Sequence, residues 1–491
     1  MDQRALDEAL MKLTELLKPW ITGILPNLDI TGLCHDSRLV TEGCLFLAYP
    51  GSAFDGRVFI EEAVEKGARA VFYEENHLPA TFILSNKVPC IGCDALAEKV
   101  AAIAARFYDD SSSHLNITGV TGTNGKTTIA FQLAKAYALL RKKSAYIGTL
   151  GQGPADTLEP LLNTTPDALC LQKLFREYSQ NDIEYVAMEV SSHALYQGRV
   201  DEIHFNQAVF SNLTHDHLDY HQTMQAYAEA KALLFAYPAL QCAIINYDDA
   251  YGELMRSSIS SSCQTLTYGL KPDADVRAVE WHMDLSGTTI IVESPWGQLN
   301  LHVKSLGQFN VYNSLAVLTS LLANGIPVNS VISVMSELPA APGRLEVVRE
   351  KPLVVVDYAH TPDALENVLK TLKSLNHGRL WVVFGCGGDR DKTKRPKMGS
   401  IASRYAEQVI ITSDNPRGEV PETIMEEIET GLESGIAYFK ITNRREAIQY
   451  ALKHALDEDI VLVAGKGHEE YQQIGQKRHH FSDKEEVMRV V

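Results

Sequence analysis

Long apolar runs are missing from this 491-residue chain, and no stretch approaches the roughly 20 consecutive apolar residues a membrane-spanning helix needs. The first residues, Met-Asp-Gln-Arg-Ala-Leu-Asp-Glu-Ala-Leu-Met-Lys-Leu, are acidic and amphipathic and lack the layout of a secretory signal. Stable membrane insertion is therefore not expected, and a cytoplasmic location is. Cysteine is sparse, with 8 residues scattered along the chain, which excludes a disulfide-built scaffold and fits a reducing compartment. Cys90 and Cys93 form a C-x-x-C with no second ligand pair, a weak signal for zinc or redox chemistry. Basic excess is also absent. The net charge of −17 argues against broad binding to nucleic acid or anionic membrane, while leaving room for a local basic pocket. No fixed-period repeat or low-complexity tract is visible.

What remains is an ordinary folded composition, 45% hydrophobic and 22% charged, in a chain long enough for roughly three domains. A helix is predicted around Asp94–Tyr108, and the polar run Asp109–His114 reads as a linker. Leu338-Pro-Ala-Ala-Pro-Gly343 marks a second joint. Domains are expected at residues 1–112, 113–341 and 342–491. Apolar strand candidates repeatedly end in polar or Gly-rich turns. Tyr185–Met188 leads into Glu189-Val-Ser-Ser-His193, and Ala208–Phe210 into Ser211-Asn-Leu-Thr-His-Asp-His217. Ala243–Ile245 leads into Asn246, and Val354–Val356 into Asp357. Val382–Phe384 leads into Gly385-Cys-Gly-Gly-Asp-Arg390. Val409–Ile411 runs on to Asp414-Asn-Pro-Arg417, and Val461–Val463 to Gly465-Lys-Gly-His-Glu469. Strands alternating with helices imply mostly parallel sheets, and ligands of such sheets sit outside the carboxyl ends of the strands.

Thr121-Gly-Thr-Asn-Gly-Lys-Thr-Thr128 follows a strand-like stretch, Leu115–Val120, and precedes a helical pattern from about Thr127. Glycines let backbone N–H groups approach phosphates, and a helix N-terminus favours anions. Lys126 can neutralise β/γ-phosphates, and the Thr127 hydroxyl can reach Mg²⁺. Val120 stands where a strict P-loop would have glycine, so the loop is a variant. Phosphoryl transfer needs metal ligands too, and Glu189 and His217, both after strands of the same region, are the candidates.

The motifs go further than a generic phosphate loop. Thr121–Thr128, Asn163-Thr-Thr165, Met188-Glu-Val-Ser-Ser-His193, Asn212-Leu-Thr-His-Asp-His217, Asn246-Tyr-Asp-Asp249, Gly307-Gln-Phe-Asn310 with Asn313, and Pro342-Gly-Arg-Leu-Glu346 together resemble the central part of the Mur ligase family. Within that family they resemble the branch that makes UDP-N-acetylmuramoyl-tripeptides. Asp357-Tyr-Ala-His360 and Gly385–Arg395 extend the likeness into the last third. Asp36-Ser-Arg38 and Asp55-Gly56 carry it, more thinly, into the first. The resemblance implies an α/β fold of three domains, with a central P-loop ATPase-like parallel-sheet domain and a C-terminal Rossmann-like domain. It implies ATP and Mg²⁺ as cofactors and an acyl-phosphate route to one amide bond in a peptidoglycan precursor. Carried over by position, Gly122, Thr123, Asn124, Gly125, Lys126, Thr127, Thr128, Asn246 and Arg344 match ATP contacts. Ser37, Asn163, Thr164, Thr165, Ser191, Gln197 and Arg199 match contacts to UDP-MurNAc-L-Ala-D-Glu, as does, less closely, Ser52–Phe54. Thr127, Glu189, His217 and Lys231 match metal-site positions, Lys231 as a carbamate.

The incoming amino acid is expected to be meso-diaminopimelate. Asp414-Asn-Pro-Arg417 resembles the family's recognition motif for it, with Asp414, Asn415, Pro416, Arg417, Arg390, Gly465 and Glu469 matching the site. The physical reason is that diaminopimelate carries a second carboxylate, which an Arg fork binds bidentately and which lysine lacks. Lysine addition stays open, as do two other readings: a folylpolyglutamate synthetase, which shares the ATP site, and a nucleotide-dependent switch without ligation. A monomer is expected, with no nucleic-acid partner.

Overall fold

In the computed structural model, the described residues are 9–51, 54–284, 286–375 and 378–490. They form two compact units. The first holds residues up to Lys126 with Tyr137–Ile245 and Asp249–Thr265; the second holds Thr127–Ala136, Asn246–Asp248 and everything from Leu266 onward.

The first unit contains a small sheet of four parallel strands in the order Leu33–Cys34, Leu45–Ala48, Ala70–Glu74, Cys90–Cys93. The helix Leu96–Phe107 packs on it with Leu96, Val100, Ile103 and Phe107 in the core, one apolar stripe at helical spacing. It matches the predicted helix, trimmed at both ends. The expected linker Asp109–His114 is instead a tight 3-10 turn, Ser111–His114, with Ser111 and Ser112 buried. Their hydroxyls account for the burial: Ser111 Oγ donates to the Tyr108 carbonyl at 2.6 Å, and Ser112 Oγ accepts from His204 N at 3.2 Å. A polar run reads as solvated only until its side chains find backbone partners.

The larger sheet of this unit places Asn116–Thr121 between Tyr185–Glu189 and Phe205–Phe210, all parallel. Ser144–Gly148 flanks Tyr185–Glu189, Cys242–Asn246 flanks Phe205–Phe210, and Gly151–Gly153 adds an antiparallel edge. The strands are buried almost throughout, as parallel strands covered on both faces must be. Four of these five parallel strands end at a residue marked in the sequence: Thr121, Glu189, Phe210 and Asn246.

The second unit carries an antiparallel meander of Val276–Asp284, Gly287–Ser294 and Gly297–Val303. Nothing in the sequence reading foresaw it, because its strands alternate in burial and carry many exposed polar residues. The same unit holds a six-stranded sheet ordered Glu346–Glu350, Leu353–Asp357, Ile460–Ala464, Leu380–Phe384, Gln408–Ile411, Ala437–Lys440. Only Glu346–Glu350 runs antiparallel. Ile460–Ala464, the last of the parallel strands in sequence, is thus inserted beside the first of them, Leu353–Asp357. The turns after both strands, and those after Leu380–Phe384 and Gln408–Ile411, share one edge of the sheet. Among the described residues, no helix is long and apolar enough to cross a membrane.

Candidate functional site

The phosphate loop leaves Asn116–Thr121 and ends at the helix Lys126–Leu139. Gly122 (φ +142°) and Gly125 (φ +87°) adopt backbone angles that other residues rarely take. At Gly122 the fit is also steric, since a Cβ would stand 2.0 Å from Ser211 Oγ. The loop is tied to the turn after Phe205–Phe210: Thr123 N donates to the Asn212 carbonyl at 2.7 Å, and Asn124 N to Asn212 Oδ1 at 3.0 Å. Lys126 Nζ donates to the Gly122 and Thr123 carbonyls, both at 2.8 Å, which curls the ammonium over the loop.

Lys231 reaches the same loop. Thr223 caps its helix, Met224–Ala232, accepting from Ala226 N at 3.1 Å, an interaction of about 1 kcal/mol. The Lys231 side chain is buried, its Nζ donates to the Gly122 carbonyl at 2.9 Å, and it lies 4.6 Å from the Tyr227 ring centroid. Burial, reinforced by the Lys126 charge, holds its pKa well below the usual lysine value. The sequence taken without the family would leave Lys231 a solvated helix lysine; it is instead in the core. His217 sits at φ +52°, its ring 5.0 Å from that of His193, and His193 is pushed down to about 4 by burial and by His217 and His221. His193 and His221 had not been singled out.

Glu189 is buried at the end of its strand, where its carboxylate accepts from the Tyr146 hydroxyl, from Thr149 N at 2.8 Å and from Thr149 Oγ1 at 3.2 Å. Thr149 Oγ1 also lies 3.1 Å from Thr164 Oγ1. Thr165 Oγ1 donates to the Glu189 carbonyl at 2.9 Å and accepts from Ser191 N at 3.1 Å. Arg199 donates to the Thr165 carbonyl at 3.2 Å and to Gln197 Oε1 at 2.8 Å. The structure thus links Thr164, Thr165, Ser191, Gln197 and Arg199 with Glu189. Tyr146 and Thr149, which hold that carboxylate, were missed because nothing local marks them. Asn163 is exposed beside this group. Ser37 opens the short 3-10 turn Ser37–Leu39 just after the strand Leu33–Cys34, and its hydroxyl donates to Glu62 Oε2 at 3.0 Å. Ser52 and Ala53 lie outside the described residues, and Phe54 is exposed.

In the second unit, Asn246 Oδ1 accepts from Asp248 N at 3.0 Å. Arg344 Nη2 reaches Thr127 Oγ1 at 3.3 Å, and its guanidinium lies 4.4 Å from the Tyr358 ring centroid. Asp357 accepts from Leu345 N at 2.6 Å and Ala359 N at 2.7 Å, fixing both neighbouring turns; burial raises its pKa.

The Asp414–Arg417 turn lies beyond the end of the strand Gln408–Ile411. Asp414 Oδ1 accepts from Asn415 N at 2.6 Å. Burial opposes the Asp414 charge, but Lys466 and Arg444 overcome it and hold the carboxyl below its ordinary range. Arg417 sits at φ +50°, a strained value for an arginine, held by its N–H to the Gln473 carbonyl at 3.1 Å and by Nη1 to the Gly388 carbonyl at 2.8 Å. A Cβ on Gly387 would stand 2.8 Å from Arg417 Nη1, so glycine there makes room for the fork. Glu469 joins the turn through Asn415 Nδ2 at 2.8 Å. Gly465 (φ +118°) faces Asp414: a Cβ there would stand 2.6 Å from Oδ2. Arg390 is exposed, its Nη1 donating to the Asp389 carbonyl at 3.3 Å.

Three family models match the chain in order: Mur ligase family, catalytic domain, at residues 29–108; Mur ligase middle domain at 120–321; and Mur ligase, glutamate ligase domain, at 343–467. The chain belongs to the Mur ligase family. Among its relatives, a UDP-N-acetylmuramoyl-L-alanyl-D-glutamate–2,6-diaminopimelate ligase of Coxiella burnetii is 42% identical over 98% of this chain and 99% of its own length. The ligase of the same name from Chromobacterium violaceum is 44% identical over 95% of this chain and 96% of its own. A solved structure of a ligase of that name matches with a TM-score of 0.72 at 39% identity, covering 97% of this chain and 98% of the other. Both the three-domain Mur ligase fold and the family expected from the motifs hold.

Proposed function

We propose that this Mur ligase joins meso-diaminopimelate to the D-Glu of UDP-MurNAc-L-Ala-D-Glu with cleavage of ATP to ADP and phosphate. The observation that carries the reading is the strained, anchored Arg417 in the Asp414–Arg417 turn, in a chain more than 40% identical along nearly its whole length to ligases named for that amino acid. A carboxylate is a poor electrophile. Attack of its oxygen on the γ-phosphorus of ATP expels ADP and gives an acyl phosphate. The diaminopimelate amine then attacks the acyl carbon, loses a proton, and phosphate leaves.

The residues fit these tasks. Gly122–Thr128 cradle the phosphates, with Lys126 offsetting the charge that builds on them. Asn246 and Arg344 serve the rest of the nucleotide. Thr164, Thr165, Ser191, Gln197 and Arg199 hold the UDP-linked peptide, with Asn163 and Ser37 at its further contacts. Glu189 and Thr127 carry oxygen atoms of the kind Mg²⁺ favours, and His217 is assigned as a nitrogen ligand. Bound there, Mg²⁺ would stabilise phosphoryl charge. Lys231, buried and paired with no carboxylate among the described residues, is assigned as the carbamylated lysine. Arg417 takes the distal carboxylate, and Arg390, Asp414, Asn415, Pro416, Gly465 and Glu469 complete the amino-acid pocket. The domains are assigned as 1–112, 113–341 and 342–491, in a cytoplasmic enzyme acting as a monomer.

The test is phosphate release with ATP, Mg²⁺ and UDP-MurNAc-L-Ala-D-Glu, with meso-diaminopimelate, L-lysine or no amino acid, and the product weighed by mass spectrometry. Tripeptide product with diaminopimelate only is expected. Product with lysine only would keep the ligase and overturn the reading of Arg417; product with neither would overturn the ligase itself.

A further inference from the structure

The amino-acid turn contains a lysine that no motif match and no step of the reaction above employs. Lys466 follows the strand Ile460–Ala464, and its side chain is 0% exposed. A buried ammonium is costly unless its protons find acceptors. Lys466 Nζ has Asn415 Oδ1 at 3.2 Å and Glu469 Oε2 at 3.2 Å, with the Tyr471 ring centroid 5.5 Å away. Asn415 closes the triangle, since its Nδ2 donates to the same Glu469 Oε2 at 2.8 Å. Its Oδ1 also accepts from Gln473 N at 2.9 Å, which locks the amide orientation. Glu469 Oε2 therefore receives two donors, and Oε1 receives none among the described residues.

Arg444 and Arg395, also buried here, are committed elsewhere, Arg395 to Glu419 and Glu427. Arg444 binds Asp483 through two contacts of 2.7 Å and stands 4.0 Å from Asp414. Among the described residues, Lys466 and Asn415 alone donate to the Glu469 carboxylate. A carboxylate pinned through one oxygen presents the other in a fixed direction and loses little rotamer freedom when a cation arrives.

We propose that Lys466 is a positioning residue for amino-acid selection: together with Asn415 it fixes Glu469 so that Oε1 accepts the distal ammonium of a diamino acid. The inference rests on the ligase reading and deepens it. Arg417 would then read the distal carboxylate and the Lys466–Glu469 pair the distal ammonium, so that the two groups on one carbon are recognised by separate parts of the turn.

The experiment compares meso-diaminopimelate with L-2-aminopimelate, which keeps the distal carboxylate and lacks the distal ammonium, as substrates or as competitors. Wild type, K466M, E469Q and the double variant are assayed, with melting temperature recorded for each. K466M is expected to raise the KM for diaminopimelate about 10- to 100-fold while the KM for ATP and for the UDP-precursor stays put. Binding of 2-aminopimelate should change less than about threefold, and the double variant should be no worse than E469Q, as for residues acting through one contact. K466Q, which keeps a donor without the charge, is the second variant should K466M fail to fold, with the same selective loss expected. Equal losses on both amino acids, or losses that multiply in the double variant, would overturn the proposal. A wild-type protein that ligates diaminopimelate without any preference over 2-aminopimelate would overturn it while leaving the ligase reading intact; one that ligates neither would remove both.

Discussion

The phosphate-loop cluster and the amino-acid turn are both built at the carboxyl ends of parallel strands, yet they differ in what contacts their charges. At the loop, neutral groups contact the charged ones. Lys126 and Lys231 donate to backbone carbonyls, and Glu189 accepts from hydroxyls and a backbone amide. At the turn, charged groups rest on one another: Lys466 on Glu469, Arg444 on Asp483, Arg395 on Glu419 and Glu427. The loop has dipoles and cations arranged for a highly charged ligand that arrives and leaves. The turn has its own electrostatics settled beforehand, and Arg417, Arg390 and one oxygen of Glu469 are left for a ligand. Removing a charge should therefore cost turnover at the loop, and stability as well as selectivity at the turn.

The largest expected effect is on the loop side. Lys126→Ala should lower kcat for ligation by about 10²- to 10³-fold, the scale for losing a donor aimed at transition-state charge. Phosphate release measures it, and differential scanning calorimetry should show an unchanged melting temperature. A variant that melts much earlier would break the contrast, because the loop lysine would then be holding the fold. On the turn side, Arg444→Met strips the cation from a carboxylate that is also 0% exposed. Loss of one partner of such a pair costs about 3–5 kcal/mol. The second unit should melt early; a variant as stable as wild type would show that Asp483 had found another partner.

Arg417→Ala comes next. It leaves the buried pairs in place and removes the guanidinium together with its hydrogen bond to the Gly388 carbonyl. A drop of about 10- to 100-fold in kcat/KM for diaminopimelate is expected, with ATP parameters preserved. A uniform drop against every amino acid would assign Arg417 to shaping the turn, consistent with its strained backbone, and would merge its role with that of Arg444.

How far these features were legible in the sequence follows from what enforces them. The strands announced themselves because parallel strands buried on both faces must be continuously apolar, as in Leu353–Asp357 and Ile460–Ala464. The phosphate loop was legible because its glycines meet local backbone demands, at Gly122 and Gly125. What escaped was whatever depends on distant partners. Lys466 reads as one more charge in a glycine-rich turn, and nothing near it in sequence says that it is buried against Asn415. Ser111 and Ser112 read as solvent-facing until Tyr108 and His204 take up their hydroxyls. Tyr146 sits within an ordinary apolar strand, and only the fold sets it against Glu189.

The smallest expected effect sharpens the contrast within the turn itself, between its interior and its rim. Glu419 accepts from Arg395 Nη2 at 2.9 Å and from Asp389 N at 2.7 Å, with Lys392 Nζ at 3.1 Å. The Arg395 hydrogen bond, then the Asp389 amide, pull its pKa down to about 2. An unfolded Glu titrates near about 4.3. A folded-state pKa below the unfolded one means the stabilisation is fully present above about 4.3 and is lost as pH falls through about 2. Glu419→Gln removes that titration. The stability gap between wild type and E419Q should therefore be greatest at neutral pH and close on going from pH 5 to pH 2. Because Lys392 is solvent-exposed and part of the interaction is screened, the gap should be about 1 kcal/mol, well under that for Arg444. Denaturant unfolding of both proteins at pH 7, 4 and 2.5 reads it directly. A gap that stayed constant with pH would mean that Glu419 contributes through packing against Arg395 rather than through its charge, and the rim of the turn would then resemble the loop more than its own interior.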